Sequence, residues 1–134
     1  MMTFIAMKRT AVAVLISLAA LSTPALAAIE DYEFQLVQSE VKQDNAAEIE
    51  VRLVDKRSGK LVPDAVIFAQ RVDMAPDGME AMQTPIEALP STQPGIYRFK
   101  AQISMAGGWR LSLGAKVQGE SGTLESKLLF KAVK

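Results

Sequence analysis

Apolar and polar residues alternate with a period of two along most of the chain after residue 30. One such segment has its apolar positions at Ala47, Ile49, Val51 and Leu53. Charged residues stand between them, which is the pattern of a strand that buries one face of a sheet. No segment of this region carries an apolar stripe of helical period and length. The pattern therefore predicts an all-β domain.

Turn-forming residues about every ten positions divide this region into about seven short strands. The predicted strands cover residues 32–36, 47–53, 65–72, 84–89, 97–103, 109–117 and 124–130. Within the strand 65–72, residues 65–69 are apolar on both faces, so this strand is expected to lie centrally. We expect an irregular loop over 73–83 and a turn at 107–108. This spacing is typical of an immunoglobulin-like antiparallel β-sandwich, with a small barrel as the alternative.

The first 27 residues differ from the rest of the chain. Lys8 and Arg9 precede an apolar run over residues 11–21, and small residues surround position 27. These are the parts of a cleavable secretory signal. They are all retained if translation starts at Met7 instead of Met1. The alternative, an uncleaved anchor, needs about 20 apolar residues, and Pro24 interrupts the run too early. We expect a signal peptide over 1–27, a periplasmic domain over 28–134 and no membrane span after cleavage.

Composition then narrows the function. Without Lys8 and Arg9, 13 basic residues face 15 acidic ones, so no surplus of positive charge is available for nucleic acid. The chain has no cysteine and no histidine. It therefore lacks the usual general base, the usual partner of a catalytic nucleophile and the commonest metal ligand. No carboxylate pair marks a pocket either, so we expect a protein that is not an enzyme.

Methionine is the residue that suggests chemistry. Met74, Met79 and Met82 fall within nine positions, and Met105 precedes the strand that begins at Trp109. Because successive antiparallel strands reverse direction, both segments should lie at one end of the sandwich. Thioethers are soft donors that select Cu(I) or Ag(I). The alternative is that these methionines cap the core as flexible gap fillers.

Three carboxylates lie among these methionines: Asp73, Asp77 and Glu80. They offer oxygen contacts to a cation or are ordinary solvated loop charges, and the second interpretation is favoured. Trp109 begins an alternating strand on its inward side, which favours a place in the core over a role covering a metal ion. Tyr97 is expected to pack with its hydroxyl bonded to the backbone.

Two segments resemble a known family. Gly95-Ile96-Tyr97-Arg98-Phe99 and the stretch from Met105 through Trp109 to Leu113 resemble the YtkA-like and FixH-like exported domains, over about residues 45–133. The resemblance implies an immunoglobulin-like sandwich associated with copper or other heavy metals, often with efflux systems and their periplasmic adaptors. FixH-like members serve a cation pump in cytochrome oxidase assembly.

Carried onto this sequence, the resemblance implies Met74, Met79, Met82 and Met105 as metal ligands. It also implies Gly95, Tyr97, Gly107 and Trp109 as scaffold. Many relatives carry histidine near the methionines, and this chain has none. FixH-like proteins are membrane-anchored, so the cleavable N-terminus favours the efflux-associated branch.

Two functions remain open at this point. The first is a periplasmic, non-catalytic accessory protein that binds or passes Cu(I) or Ag(I) for a heavy-metal efflux or adaptor protein. The second is an interaction module without a metal, which docks onto a membrane or adaptor protein through a sheet edge or an apolar loop. Methionine-rich surfaces serve both purposes.

Overall fold

The alternating segments form strands, and the computed structural model places these strands in two sheets. The structure describes residues 28–134, and the predicted signal peptide lies outside the described residues. The strands are β1 Tyr32–Leu36, β2 Glu40–Lys42, β3 Asp44–Asp55, β4 Ala65–Met74, β5 Met79–Thr84, β6 Ile86–Leu89, β7 Ile96–Ile103, β8 Gly107–Val117 and β9 Leu124–Val133. Two short 3₁₀ helices cover Ile29–Asp31 and Ala75–Asp77.

The strands form a four-stranded sheet in the order β1-β3-β7-β6 and a five-stranded sheet in the order β2-β9-β8-β4-β5. Neighbouring strands run antiparallel except β2 and β9, which are parallel. This strand order is that of an immunoglobulin-like sandwich whose first strand is split between the two sheets. The sandwich is confirmed over the barrel, with nine strands in the described residues rather than about seven.

The core lies between the two sheets and is formed by the inward residues of the alternating segments. Ile49, Val51 and Leu53 of β3 face Leu111 and Trp109 of β8, and none of the five is more than 1% exposed. Both sheets and this core lie within residues 28–134, so this segment has what a domain needs to fold by itself.

The third strand, β4, lies between β8 and β5 in the sheet, but the expected burial of both its faces is wrong. β4 pairs with β8 along most of its length, but β5 covers its other edge only at residues 72–74. Val66 and Phe68 are 65% and 56% exposed, because they point away from the core on the outer face of the five-stranded sheet. In β4, therefore, apolar residues occur on both faces although only the inner face is buried.

The expected irregular loop and the glycine turn are also wrong. Residues 73–74 extend β4, and Gly78 adopts a φ of 74° that returns the chain along β4 as β5. Met, Glu, Ala and Gln dominate β5, so its sequence shows no strand alternation. Gly107 and Gly108 are the first residues of β8 and pair with β9, which moves the turn to residues 104–106.

Candidate functional site at the methionine end of the sandwich

The segment after β4 packs directly onto the start of β8. Asp77 Oδ2 accepts a hydrogen bond from the Gly108 N–H at 3.0 Å. A Cβ on Gly108 would lie 2.8 Å from Cβ of Pro76, so only glycine permits this approach. The two segments therefore share one end of the sandwich, as the reversal of strand direction predicts.

All four methionines of residues 28–134 belong to these adjoining segments, which we call the methionine end: Met74, Met79, Met82 and Met105. Met74 and Met79 are register partners across the β4–β5 hairpin. A Cβ on Gly107, two residues after Met105, would lie 3.2 Å from Cε of Met74. The structure thus places the predicted ligands on two segments that pack together at one end of the sandwich.

The four thioethers differ in access to solvent. Met79 and Met105 are 38% and 40% exposed, whereas Met74 is completely buried. Met82 is half-buried and packs against the core. Met74 therefore has the place of a core residue, and the other three lie at or near the surface. Metal binding by this set stays a prediction.

Trp109 fixes the turn that carries Met105. Its side chain is completely buried, which confirms its predicted place in the core. Its indole Nε1–H donates to the backbone oxygen of Met105 at 2.9 Å. Gln43 Nε2 donates to the neighbouring carbonyl of Ser104 at 2.8 Å. These two bonds hold residues 104–105, and the alternation of the sequence contains no signal for either.

Tyr97 joins the two sheets near their other end. Its hydroxyl donates to the Val62 carbonyl at 2.7 Å and accepts from the Ala65 N–H at 3.1 Å. The predicted backbone partner of this hydroxyl is therefore confirmed, and burial raises the pKa of the phenol. Tyr97 supports the sandwich and does not touch the methionine end.

The favoured interpretation of the carboxylates as solvated loop charges is wrong for Asp73. Its side chain is completely buried on β4, where it is the register partner of Arg110. Its oxygens accept hydrogen bonds from Arg110 Nη2 at 3.0 Å, Arg71 Nε at 3.1 Å and the Ala75 N–H at 2.9 Å. These bonds occupy the carboxylate that a cation would otherwise use.

Glu80 and Asp77 also have partners inside the protein. Glu80 is 72% exposed and forms an ion pair with Arg110 at 3.3 Å. Asp77 is exposed and bonds to Gly108 as described. Across residues 28–134, no three His, Cys, Asp or Glu side chains form a group that could hold a metal ion. In that same range, no helix is long and apolar enough to cross a bilayer.

The electrostatic balance at Asp73 follows from these contacts. Burial raises the pKa of Asp73, because an ionised carboxylate loses hydration there. The hydrogen bonds from the Ala75 N–H and from Arg110, together with the charges of Arg110 and Arg71, lower the pKa by more. The pKa of Asp73 therefore lies below its ordinary value, and the group is ionised at neutral pH.

The chain is similar in fold to known structures. A DUF4426 family protein from Pseudomonas aeruginosa PAO1 has a TM-score of 0.53 and 16% identity, over 75% of this chain and 89% of the other. The Lin-41 filamin domain has a TM-score of 0.44 and 20% identity, over 75% and 91% of the two chains. The ZirS C-terminal domain has a TM-score of 0.46 and 13% identity, over 78% and 67%. The first of these likenesses supports the β-sandwich fold.

Comparison of sequences gives the family. No curated protein is significantly similar to the chain in sequence. A model of the YtkA-like family matches residues 26–114, which is about two thirds of the chain and includes β1 to most of β8. This range contains all four residues of the methionine end and the scaffold residues Gly95, Tyr97, Gly107 and Trp109. The chain therefore belongs to the YtkA-like family.

Proposed function

We propose that this protein is a periplasmic, non-catalytic accessory domain that holds or passes Cu(I) or Ag(I) in support of heavy-metal efflux. The ion binds at the methionine end, where Met79 and Met105 are the accessible thioethers and Met82 is the half-buried one. The single observation that supports this proposal is that all four methionines lie on the β4–β5 hairpin or in the turn before β8, two segments that pack together through Asp77 and Gly108.

The chemistry of the donors sets the choice of ion. Thioether sulfur is uncharged and polarisable, so it binds soft monovalent ions and discriminates against Mg²⁺ and Ca²⁺. The carboxylate of Asp73 is already bonded to two arginines, which removes the best hard ligand nearby. The export signal expected over residues 1–27 would place the domain where such ions are met.

A titration tests the proposal directly. Residues 28–134, labelled at the methionine ε-methyl groups, are titrated with Ag(I) in chloride-free buffer and with Cu(I) under reducing conditions. We expect the signals of Met79, Met82 and Met105 to shift together and to reach an end point near one equivalent. Resonances that stay unmoved at several equivalents would exclude metal carriage.

A matched pair of variants separates ligands from packing. Leucine has nearly the volume of methionine and no sulfur, so replacement keeps the core filled. Met79→Leu combined with Met105→Leu should abolish the one-equivalent end point while the fold is retained. Met74→Leu, the buried control, should leave the affinity for Ag(I) within about threefold of the wild type. A double variant that binds as the wild type does would contradict the assignment.

The second candidate is an interaction module without a metal. The observation that favours it is the exposure of Val66 and Phe68, two large apolar residues on the outer face of the five-stranded sheet. Solvent-exposed apolar residues that lie together often mark contact surfaces. The two functions use different surfaces, so the titration above decides the metal role without affecting the second.

A further inference from the structure

A groove of about 450 Å³ crosses the outer face of β4, β8 and β9, and none of the four methionines lines it. Its lining includes Phe68, Arg71, Ser112, Gly114, Glu125 and Lys127. Two of its three charged residues are cationic. We call it the outer groove, and it opens beside β4. Residues 65–71 of β4 pair with β8 on one side, and no described strand pairs with them on the other.

Phe68 forms an apolar wall of the outer groove. It is the extra residue of a bulge, since the register passes from Ile67 opposite Ala115 to Ala69 opposite Gly114. A Cβ on Gly114 would lie 3.2 Å from ring atoms Cε2 and Cζ of Phe68, so the glycine lets the ring approach β8. The ring is thus held against the sheet while Phe68 stays 56% exposed.

Cationic side chains surround this aromatic wall. Arg71 and Lys127 both pair with Ser112, one from β4 and one from β9, which places their Cα atoms about 10 Å apart. The side chain of Arg71 is 42% exposed, and its bonds to Asp73 and to the Glu80 carbonyl use two of its five donors. Lys116 is the exposed register partner of Val66.

We propose that the free edge of β4 and the outer groove bind an extended, acidic segment of a partner protein. The segment places an apolar side chain on Phe68 and carboxylates near Arg71 and Lys116. An unpaired edge strand offers backbone donors and acceptors to an added strand, while side-chain contacts give specificity. Because the bulge interrupts the edge, these backbone bonds form short runs, and Phe68 and the cations supply the remaining affinity.

This occupant fits the surface better than a lipid bilayer does. A membrane-inserting residue must project from the surface, whereas the ring of Phe68 lies against Gly114. Unpaired backbone groups on β4 are also satisfied by a polypeptide and not by acyl chains. Asp73 balances the charge of Arg71, and Lys116 and Lys127 outnumber Glu125 on this face, so the surface favours an acidic segment over a basic one.

The test uses two labelled peptides and residues 28–134. Fluorescein-labelled acetyl-Glu-Val-Glu-Leu-Glu-Val-Glu-amide should bind saturably by fluorescence anisotropy. Its counterpart with lysine at every glutamate position should bind at least tenfold more weakly. No saturable binding of the acidic peptide, or equal binding of the two, would overturn the proposal.

Variants locate the binding surface. Phe68→Ala and Lys116→Glu should each weaken binding of the acidic peptide about tenfold. The controls Leu129→Ala and Lys131→Glu change exposed residues of the same sheet outside the outer groove and should bind as the wild type. If Lys131→Glu weakens binding of the acidic peptide as much as Lys116→Glu does, the loss depends on net charge alone and the assigned surface is refuted. Lys116 is exposed, so its variant tests the proposal even where Phe68→Ala affects folding.

Two further outcomes distinguish other occupants. Self-association by sedimentation that Phe68→Ala abolishes would assign this face to a second copy of the chain and overturn the proposal. Phe68-dependent binding to phosphatidylglycerol vesicles, without peptide binding, would overturn it in favour of a membrane. The Met79→Leu and Met105→Leu double variant should bind the peptide as the wild type, so this result is independent of the metal site.

Discussion

Met74 and Met105 belong to the same candidate site but differ strongly in their exposure to solvent. Met74 is completely buried at the end of β4, and Met105 is 40% exposed in a turn. Both are flexible thioethers with equal volume. Their contributions to folding and to binding should therefore separate cleanly under substitution.

We predict that Met74→Ala lowers the free energy of unfolding by about 2–5 kcal/mol, since it removes a buried side chain and leaves a cavity. Met105→Ala should cost less than about 1 kcal/mol, because its exposed side chain leaves no cavity. Urea unfolding of the metal-free protein measures both values. Equal losses in the two variants would show that Met105 is also part of the core.

Asp73 is the residue whose charge the fold depends on. Asp73→Asn keeps the shape and the acceptor for the Ala75 N–H but removes the charge that faces Arg71 and Arg110. We predict a loss of about 1–3 kcal/mol at pH 7, less than for a fully buried pair because both arginines are partly exposed. Urea unfolding gives the value.

The pH dependence of this loss has a definite sign. The folded pKa of Asp73 lies below its unfolded value of about 3.9, so its contribution is fully present above that value. It is lost as the pH falls through the folded pKa. The difference in stability between wild type and Asp73→Asn should therefore shrink as the pH falls below about 4. A difference that stays constant over this range would contradict the assignment.

At the scale of elements, the contact between the 3₁₀ helix Ala75–Asp77 and the start of β8 holds the methionine end together. Gly108→Ala would bring a methyl group to 2.8 Å from Cβ of Pro76, and proline cannot rotate away. We predict a loss of about 1–3 kcal/mol by urea unfolding, as overpacking usually costs. The ε-methyl signals of Met74 and Met79 should also shift, and unchanged signals would show that the two segments move independently.

Strand existence was largely predictable from the sequence, because a face that packs on a core repeats with a period of two. β3, β7 and β8 each contain a predicted strand. The observed and predicted ends differ by no more than two residues, except at the start of β3, which begins three residues earlier. β2 is only three residues long, which is too short to show a period. β5 forms because Gly78 returns the chain along β4, and its own residues favour no strand.

The same reasoning predicted where the candidate site lies, but not which of its side chains are buried or which contact each other. Strand direction alone placed Met74 and Met105 at one end of the molecule. It did not show that Met74 is buried or that Asp73 meets Arg110, because both depend on the register of β4 against its neighbours. Residue type likewise could not show that Val66 and Phe68 face solvent.

At the scale of the whole molecule, binding of a soft ion should stabilise the fold by mass action. We predict that Ag(I) at about 100 times its dissociation constant raises the free energy of unfolding by about 2.7 kcal/mol. Thermal unfolding of residues 28–134 with and without Ag(I) measures this as a higher midpoint. The Met79→Leu and Met105→Leu double variant should show no such rise, and an equal rise would place the ion elsewhere.

The parallel pairing of β2 with β9 joins the beginning of the described chain to its end, with Glu40 opposite Lys131. Contacts so distant in sequence form late, since a long loop must close before they contribute. β2 therefore has no partner until residue 133 has been synthesised. We expect the five-stranded sheet to close only after synthesis of the whole domain, since β8 also lacks its partner β9 until then.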